Sequence, residues 1–326
     1  MSNNKQSTLK LVLGASSIGD KSMNPVARFS SPYEINSLLD VFASHGHNQL
    51  DTSMLYYTSE AHLASVDAGT KFNIDTKVGA FDPQERPHTK ENILKQVDIS
   101  LDTLRIKQIN TYYLHMPDRI TRFELACEAM DEIWKAGKIR QWGLSNYTAA
   151  EVQEILNICD EKGFQKPSVY QGHYNAIVRS GEAELFPILR KNGIAFYAYS
   201  ASGAGFFAGN HKNIQPAGRF DDSTVFGKHY RSLYFEPSTM AAAEEAVQVA
   251  VQHGINGHAA ALRWTAFHSA LDQSKSDAII LGASSTAQME SNLKAIEDGP
   301  LPSPVVSTFE AVYGSIDKEA HASYHM

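Results

Sequence analysis

The chain has 326 residues, 43% of them hydrophobic and 20% charged, an ordinary balance for a globular protein stabilised by burial without staples. Its 29 basic and 36 acidic residues leave a net charge of −7, which gives no electrostatic footing for nucleic acid. Cys127 and Cys159 read as buried free thiols suited to a reducing, cytoplasmic setting; no run approaches the ~18 apolar residues of a membrane span, and residues 1–7 lack the apolar stretch of a secretory signal.

Strand-like and helix-like runs alternate from the start. Residues 9–15 read as a strand, and 32–46 as a helix with Ile35, Leu38, Leu39 and Phe42 at helical spacing. Residues 49–53 are the second strand, 61–68 a short helix and 73–78 the third strand. Over 89–104 Thr89 suits a cap, and Ile93, Val97, Leu101 and Leu104 recur every three or four residues. A strand over 109–115 and a helix over 123–136 ending at Gly137 follow. Next come strand 141–145, helix 148–162 ending at Gly163, strand 168–174, helix 182–191 and strand 194–199. Residues 201–236 break the rhythm with Gly, Asp, Asn, Lys and aromatics, too long for a plain connection and a candidate cofactor or substrate loop. Helices over 238–253 and 258–267, an eighth strand over 278–282 and helices over 287–296 and 305–316 complete the chain.

Eight strands alternating with helices predict an α/β fold, a (β/α)8 TIM barrel spanning residues 1–326 as one domain with additional C-terminal helices. The alternative, a doubly wound open sheet, usually carries a glycine fingerprint after its first strand. Gly14-Ala15-Ser16-Ser17-Ile18-Gly19 does not match it, and Gly203-Ala204-Gly205 is incomplete.

In a barrel the C-terminal ends of the strands converge on one rim. Asp51, Lys77 and His115 close strands two, three and four, and Tyr56 follows five residues after Asp51. A free phenol, with a pKa of about 10, is a poor acid near neutrality. A nearby ammonium stabilises the phenolate and pulls that pKa down, a role open to Lys77, with Asp51 holding the ammonium and His115 bonding the substrate oxygen. Such a site protonates a carbonyl oxygen as hydride reaches its carbon, and the hydride must come from a cofactor. Each residue alone has a plainer reading: a packed Tyr, a turn-capping Asp, a solvated Lys, a satisfied structural His. Four together at successive strand ends weaken those readings.

The chain resembles the aldo-keto reductases, specifically the aflatoxin-aldehyde-reductase-like branch, over residues 9–320. The resemblance rests on Leu50-Asp51-Thr52-Ser53-Met54-Leu55-Tyr56, Thr76-Lys77-Val78, Tyr113-Leu114-His115-Met116-Pro117-Asp118 and Trp142-Gly143-Leu144-Ser145-Asn146-Tyr147. Gln171-Gly172-His173-Tyr174-Asn175, Phe196-Tyr197-Ala198-Tyr199, Gly218-Arg219-Phe220 and Ile280-Leu281-Gly282-Ala283-Ser284-Ser285 add to it. It implies NADP(H)-dependent reduction of an aldehyde or ketone. Tyr56 would be the proton donor, tuned by Lys77 and Asp51, with His115 orienting the carbonyl. Ser145, Asn146 and Gln171 would hold the nicotinamide carboxamide, and Tyr199 would stack on its ring beside Ser200. Arg219 falls at a cofactor-binding arginine of the branch, and Gly282, Ser284, Gln288 and Asn292 would grip the adenosine phosphate.

The chain departs from the branch in three places. Ser200-Ala201-Ser202 replaces Asn-Pro-Leu after Tyr199, Leu233 stands three residues past Tyr230 where an arginine for anionic substrates is usual, and the C-terminal arginine gives way to Tyr324-His325-Met326. With Tyr230, Phe206, Phe207 and Phe226, this predicts an uncharged or aromatic small-molecule carbonyl substrate, with Tyr230 and His115 touching it. The oligomeric state, a homodimer included, is left open. Two other functions compete: a channel-regulating β subunit of the same fold, and a metal-dependent barrel hydrolase suggested by His45-Gly46-His47. Such a pair should end the first strand, whereas here it precedes strand two. A reaction run in reverse as alcohol oxidation fits the same residues.

Overall fold

Short apolar strands that each feed a helix must stack side by side, and here they close on themselves. In the computed structural model, which describes residues 9–24, 26–79 and 83–326, eight strands pair in chain order as a closed parallel barrel. Residues 1–7, read above for a secretory signal, lie outside the described residues. The strands are β1 (Lys10–Gly14), β2 (Gln49–Asp51), β3 (Asn73–Val78), β4 (Ile109–Leu114), β5 (Ile139–Ser145), β6 (Val169–His173), β7 (Ala195–Tyr199) and β8 (Ala278–Leu281). β8 returns to β1 through Lys10↔Ala278 to Leu13↔Leu281. This is the (β/α)8 barrel, not the open sheet.

Local chemistry sets the helices. Helix α1 (Pro32–Ser44) starts with a reciprocal cap between Ser31 and Glu34 and buries Ile35, Leu38, Leu39 and Phe42, each contributing about 1.5–3 kcal/mol. After α2 (Ser59–Ser65), α3 (Lys90–Leu104) is capped by Thr89, as its spacing predicts. Helix α4 (Phe123–Lys135) precedes α5 (Ala149–Lys162), which has the Thr148/Glu151 capping box and ends at Gly163, whose φ of 68° suits glycine. Helix α6 (Gly181–Lys191) leads into β7.

Residues 201–236 are more ordered than their composition suggests. They contain helix α7 (Val225–Tyr234), capped by Thr224, while Asp221 accepts from the amides of Ala217 and Ser223. Helix α7 buries only Gly227 and Tyr234, yet Phe226, Tyr230, Leu233 and Tyr234 recur at helical spacing, a period that the glycine-rich and polar run before it obscures. Phe206 and Phe207 are buried in the core, not in a substrate pocket: Phe206 stacks on Tyr234 and His211, and Phe207 packs on Phe309. Helix α8 (Pro237–Gln252) is followed by α9 (Gly257–Phe267), whose first glycine leaves room for the segment: a Cβ there would lie 2.3 Å from the Phe207 carbonyl oxygen. Helices α10 (Thr286–Glu297) and α11 (Ser303–Ser315) are the predicted closing helices.

Inside the barrel, Val12, Tyr113, Val169, Ala195, Tyr197, Ala278 and Ile280 form a small apolar plug. Strand alternation sends Ile74 outward to the helices and Asp75 and Lys77 inward. Strand β2 is shorter than expected and stops at Asp51, so Thr52 and Ser53 are free to turn over the rim.

Candidate active site

The rim is assembled from the ends of successive strands, β2 through β7. Lys77 in β3 is fully buried, and its Nζ donates to both carboxylate oxygens of Asp51 at 2.7 Å and to the Thr52 carbonyl at 2.7 Å. An ammonium has three protons, so all are engaged. Tyr56 ends a one-turn 3-10 helix, Met54–Tyr56, with its ring centroid 5.2 Å from that ammonium. No Lys77 proton is left for the phenol, so Lys77 acts on it through space. Burial first, and then the Asp51 charge, raise the Tyr56 phenol above its usual value, with Arg219 opposing. Burial, the leading cause, thus sets the resting phenol high, and the carboxylate that holds the ammonium adds to the rise.

His115 directly follows β4 and meets Tyr56 edge to face at 5.9 Å. Its Nδ1 lies 3.0 Å from Ser53 Oγ. Burial, with Lys77 and His88 as lesser causes, pushes its pKa well below the usual range, so the ring is neutral at neutral pH.

Asn146, next to Ser145 at the end of β5, has a left-handed φ of 68° that turns its side chain back across the rim. Its Nδ2 donates to the His115 carbonyl at 2.9 Å and to Ser145 Oγ at 3.1 Å, and its Oδ1 accepts from the Tyr199 hydroxyl at 2.8 Å. Gln171 in β6 donates to Asp51 Oδ1 at 2.8 Å, joining the carboxamide set to the acid set. Ser200 Oγ is 3.4 Å from the Tyr230 hydroxyl, and the Arg219 guanidinium lies 5.7 Å from the Tyr230 ring and 3.5 Å from Ser16 Oγ. These contacts gather the predicted acid and carboxamide residues at one rim, around Tyr56.

The other predicted group lies at the β8–α10 turn. Ser284 donates from its amide and its hydroxyl to Gln288 Oε1 at 2.7 and 2.9 Å, and Ser285 caps α10 by accepting from the Gln288 amide. Asn292 is buried, donates to the Gly282 carbonyl at 3.2 Å and meets His258 Nε2 at 2.8 Å. A Cβ on Gly282 would meet nothing within 4 Å, so the space over this turn is open.

The sequence model of the Aldo/keto reductase family matches residues 10–313. The chain belongs to the aldo/keto reductase family. An aldo-keto reductase of Pseudocercospora fijiensis (strain CIRAD86) is 37% identical over 292 residues, covering 86% of this chain and 97% of that protein. Oxidoreductase sirO of Leptosphaeria maculans is 35% identical and covers 87% of each chain. Aflatoxin B1 aldehyde reductase member 2 of Homo sapiens is 36% identical, covering 85% of this chain and 81% of that one.

Several contacts of this aldo/keto reductase leave no mark in the sequence. Ser53 sits inside the Leu50-to-Tyr56 motif, but nothing local shows that its hydroxyl meets His115. The Thr52 carbonyl and His258 are equally silent, because their partners are distant in sequence. The segment Tyr324-His325-Met326 borders the rim: the Tyr324 hydroxyl accepts from the Ala149 amide, and the Met326 amide donates to the Asn146 carbonyl at 3.2 Å. Arg119 reaches the Met326 oxygen there, but Glu151 neutralises it at 2.6 Å. Of the histidine pair of the hydrolase alternative, His45 bridges Glu297 at 2.5 Å and Glu290 at 3.1 Å, between α1 and α10, and His47 packs on Phe42. Among the described residues no helix is long and apolar enough to cross a membrane.

Proposed function

We propose that this aldo/keto reductase reduces an uncharged or aromatic aldehyde or ketone with NADPH, using Tyr56 as the general acid. The observation that carries the reading is the Tyr56 ring set edge to face on His115 at 5.9 Å and 5.2 Å from a Lys77 ammonium that Asp51 and the Thr52 carbonyl hold in place. Nicotinamide, when bound, supplies the hydride to the carbonyl carbon. Tyr56 gives its proton to the carbonyl oxygen, and the Lys77 charge stabilises the phenolate left behind. With Ser53 donating to Nδ1, His115 carries its own proton on Nε2 and offers it to the same oxygen.

The residues suit the cofactor at both ends. Ser145, Asn146 and Gln171 bring amide and hydroxyl groups of the kind a carboxamide pairs with, and Tyr199 lends a ring face. At the other end, Ser284, Gln288 and the N-terminus of α10 border open space, where backbone donors and the helix dipole favour phosphate. NADPH over NADH rests on Arg219, a half-buried cation with no carboxylate partner among the described residues. The uncharged substrate rests on Leu233, on Tyr230, and on Phe226 one helical turn before it.

Turnover of an uncharged aromatic aldehyde and of succinic semialdehyde by wild type and Tyr56→Phe tests this reading. Preference for the aromatic aldehyde and a near-dead variant support it. A variant at the wild-type rate removes Tyr56 as the acid, and equal efficiency on both aldehydes removes the substrate class. Fluorescence titration with NADPH and NADH, in wild type and Arg219→Leu, tests the cofactor preference.

A further inference from the structure

Strand register sets a second carboxylate beside the catalytic one. Asp75 in β3 is the direct partner of Asp51 in β2, and alternation points both into the barrel. Asp75 is fully buried. Its oxygens accept from neutral amides, Asn110 Nδ2 at 2.7 Å and Gln49 Nε2, and no ion pair reaches it among the described residues. The groups facing it are Gln49 and Asp51 from β2, Lys77 from its own strand, Asn110, Thr111 and Tyr113 from β4, Tyr197 from β7, and Lys10 from β1. Asn110 also lines a surface cavity of about 340 Å³ with Asn73 and Ile74, which Asp75 itself does not line.

We propose that Asp75 is a positioning residue for the reduction: its charge, set beside Asp51, governs how far the Asp51–Lys77 pair can stabilise the phenolate Tyr56 leaves. This rests on Tyr56 being the acid. With Asp75 neutral, the interior holds one positive and one negative charge. With Asp75 ionised, two carboxylates stand beside the Lys77 ammonium, Lys10 reaching Asp75 only from the start of β1, and a phenolate would add a third negative charge. Burial, then the Asp51 charge, push the Asp75 carboxyl up to about 6, with the amides and Thr111 opposing. Proton donation therefore weakens as pH rises through that range.

The test is the pH profile of kcat with NADPH and an uncharged aldehyde, in wild type, Asp75→Asn and Asn110→Ala. The wild type should show a limb falling above pH ~6. Asp75→Asn should lose that limb and turn over severalfold faster at pH 7.5, with NADPH affinity by fluorescence unchanged. Asn110→Ala removes a donor to the charged form and should shift the limb to higher pH. Melting temperature against pH in the unliganded protein should change in the same order. A limb unchanged in both variants overturns the proposal, and if Asp75→Asn does not fold, an unmoved limb in Asn110→Ala overturns it alone. Tyr56→Phe separates the two ideas: turnover there defeats the acid, whereas a dead Tyr56→Phe with an unmoved limb defeats only Asp75.

Discussion

The two ends of the site are built in opposite ways. Around Tyr56, each fixed side chain is held from another strand: Lys77 by Asp51, Asp51 by Gln171, Tyr199 by Asn146. At the β8–α10 turn the bonds are mostly local, Ser284 and Ser285 to Gln288 and Asn292 to Gly282. The Asp51–Gln171 bond spans the barrel from β2 to β6 and exists only once the barrel is closed, so chemistry and stability are coupled there. Local bonds can loosen without opening the barrel, so damage at that end should fall on affinity.

The strongest challenge to this contrast is Tyr56→Phe. It should lower kcat about a thousandfold in steady-state assays while NADPH affinity stays put. Lys77→Met comes next: it strands a buried Asp51 carboxylate, and should cost about 3–5 kcal/mol in denaturant melts as well as activity. Asp75→Asn should act in the opposite sense. An acid whose folded pKa is raised from 3.8 to about 6 loses folded-state stability as pH climbs through that window. Removing it should add up to about 3 kcal/mol at neutral pH, read by urea unfolding at pH 5 and 7.5. The local end should yield the smallest effect: Ser285→Ala removes a helix cap worth about 1 kcal/mol and should weaken NADPH severalfold with kcat unchanged. A large kcat loss there would erase the distinction between the ends.

The barrel and the four residues Asp51, Tyr56, Lys77 and His115 are legible because strand ends in a parallel barrel share one rim. Charge balance is not. That Lys77 gives its protons to Asp51 and the Thr52 carbonyl depends on where β2 stops, and the sequence places that end two residues too late. Phe206 and Phe207 show a second limit, since composition cannot tell an aromatic of the core from one lining a pocket. Helix α7 is a third: its period of Phe226, Tyr230, Leu233 and Tyr234 is short and follows a glycine-rich, polar run that hides it. Asp75 looks like any polar residue in a strand until register sets it against Asp51.

The seam between β1 and β8 has a consequence for how the chain is made. Strand β1 leaves the ribosome first among the strands and finds β2 early, yet its other edge waits for β8, which emerges last. Through most of synthesis the nascent sheet carries an open edge whose backbone groups can pair with another chain. Crowded polysomes and slow codons before residue 278 would prolong that exposure, and holding chaperones would matter most in that interval.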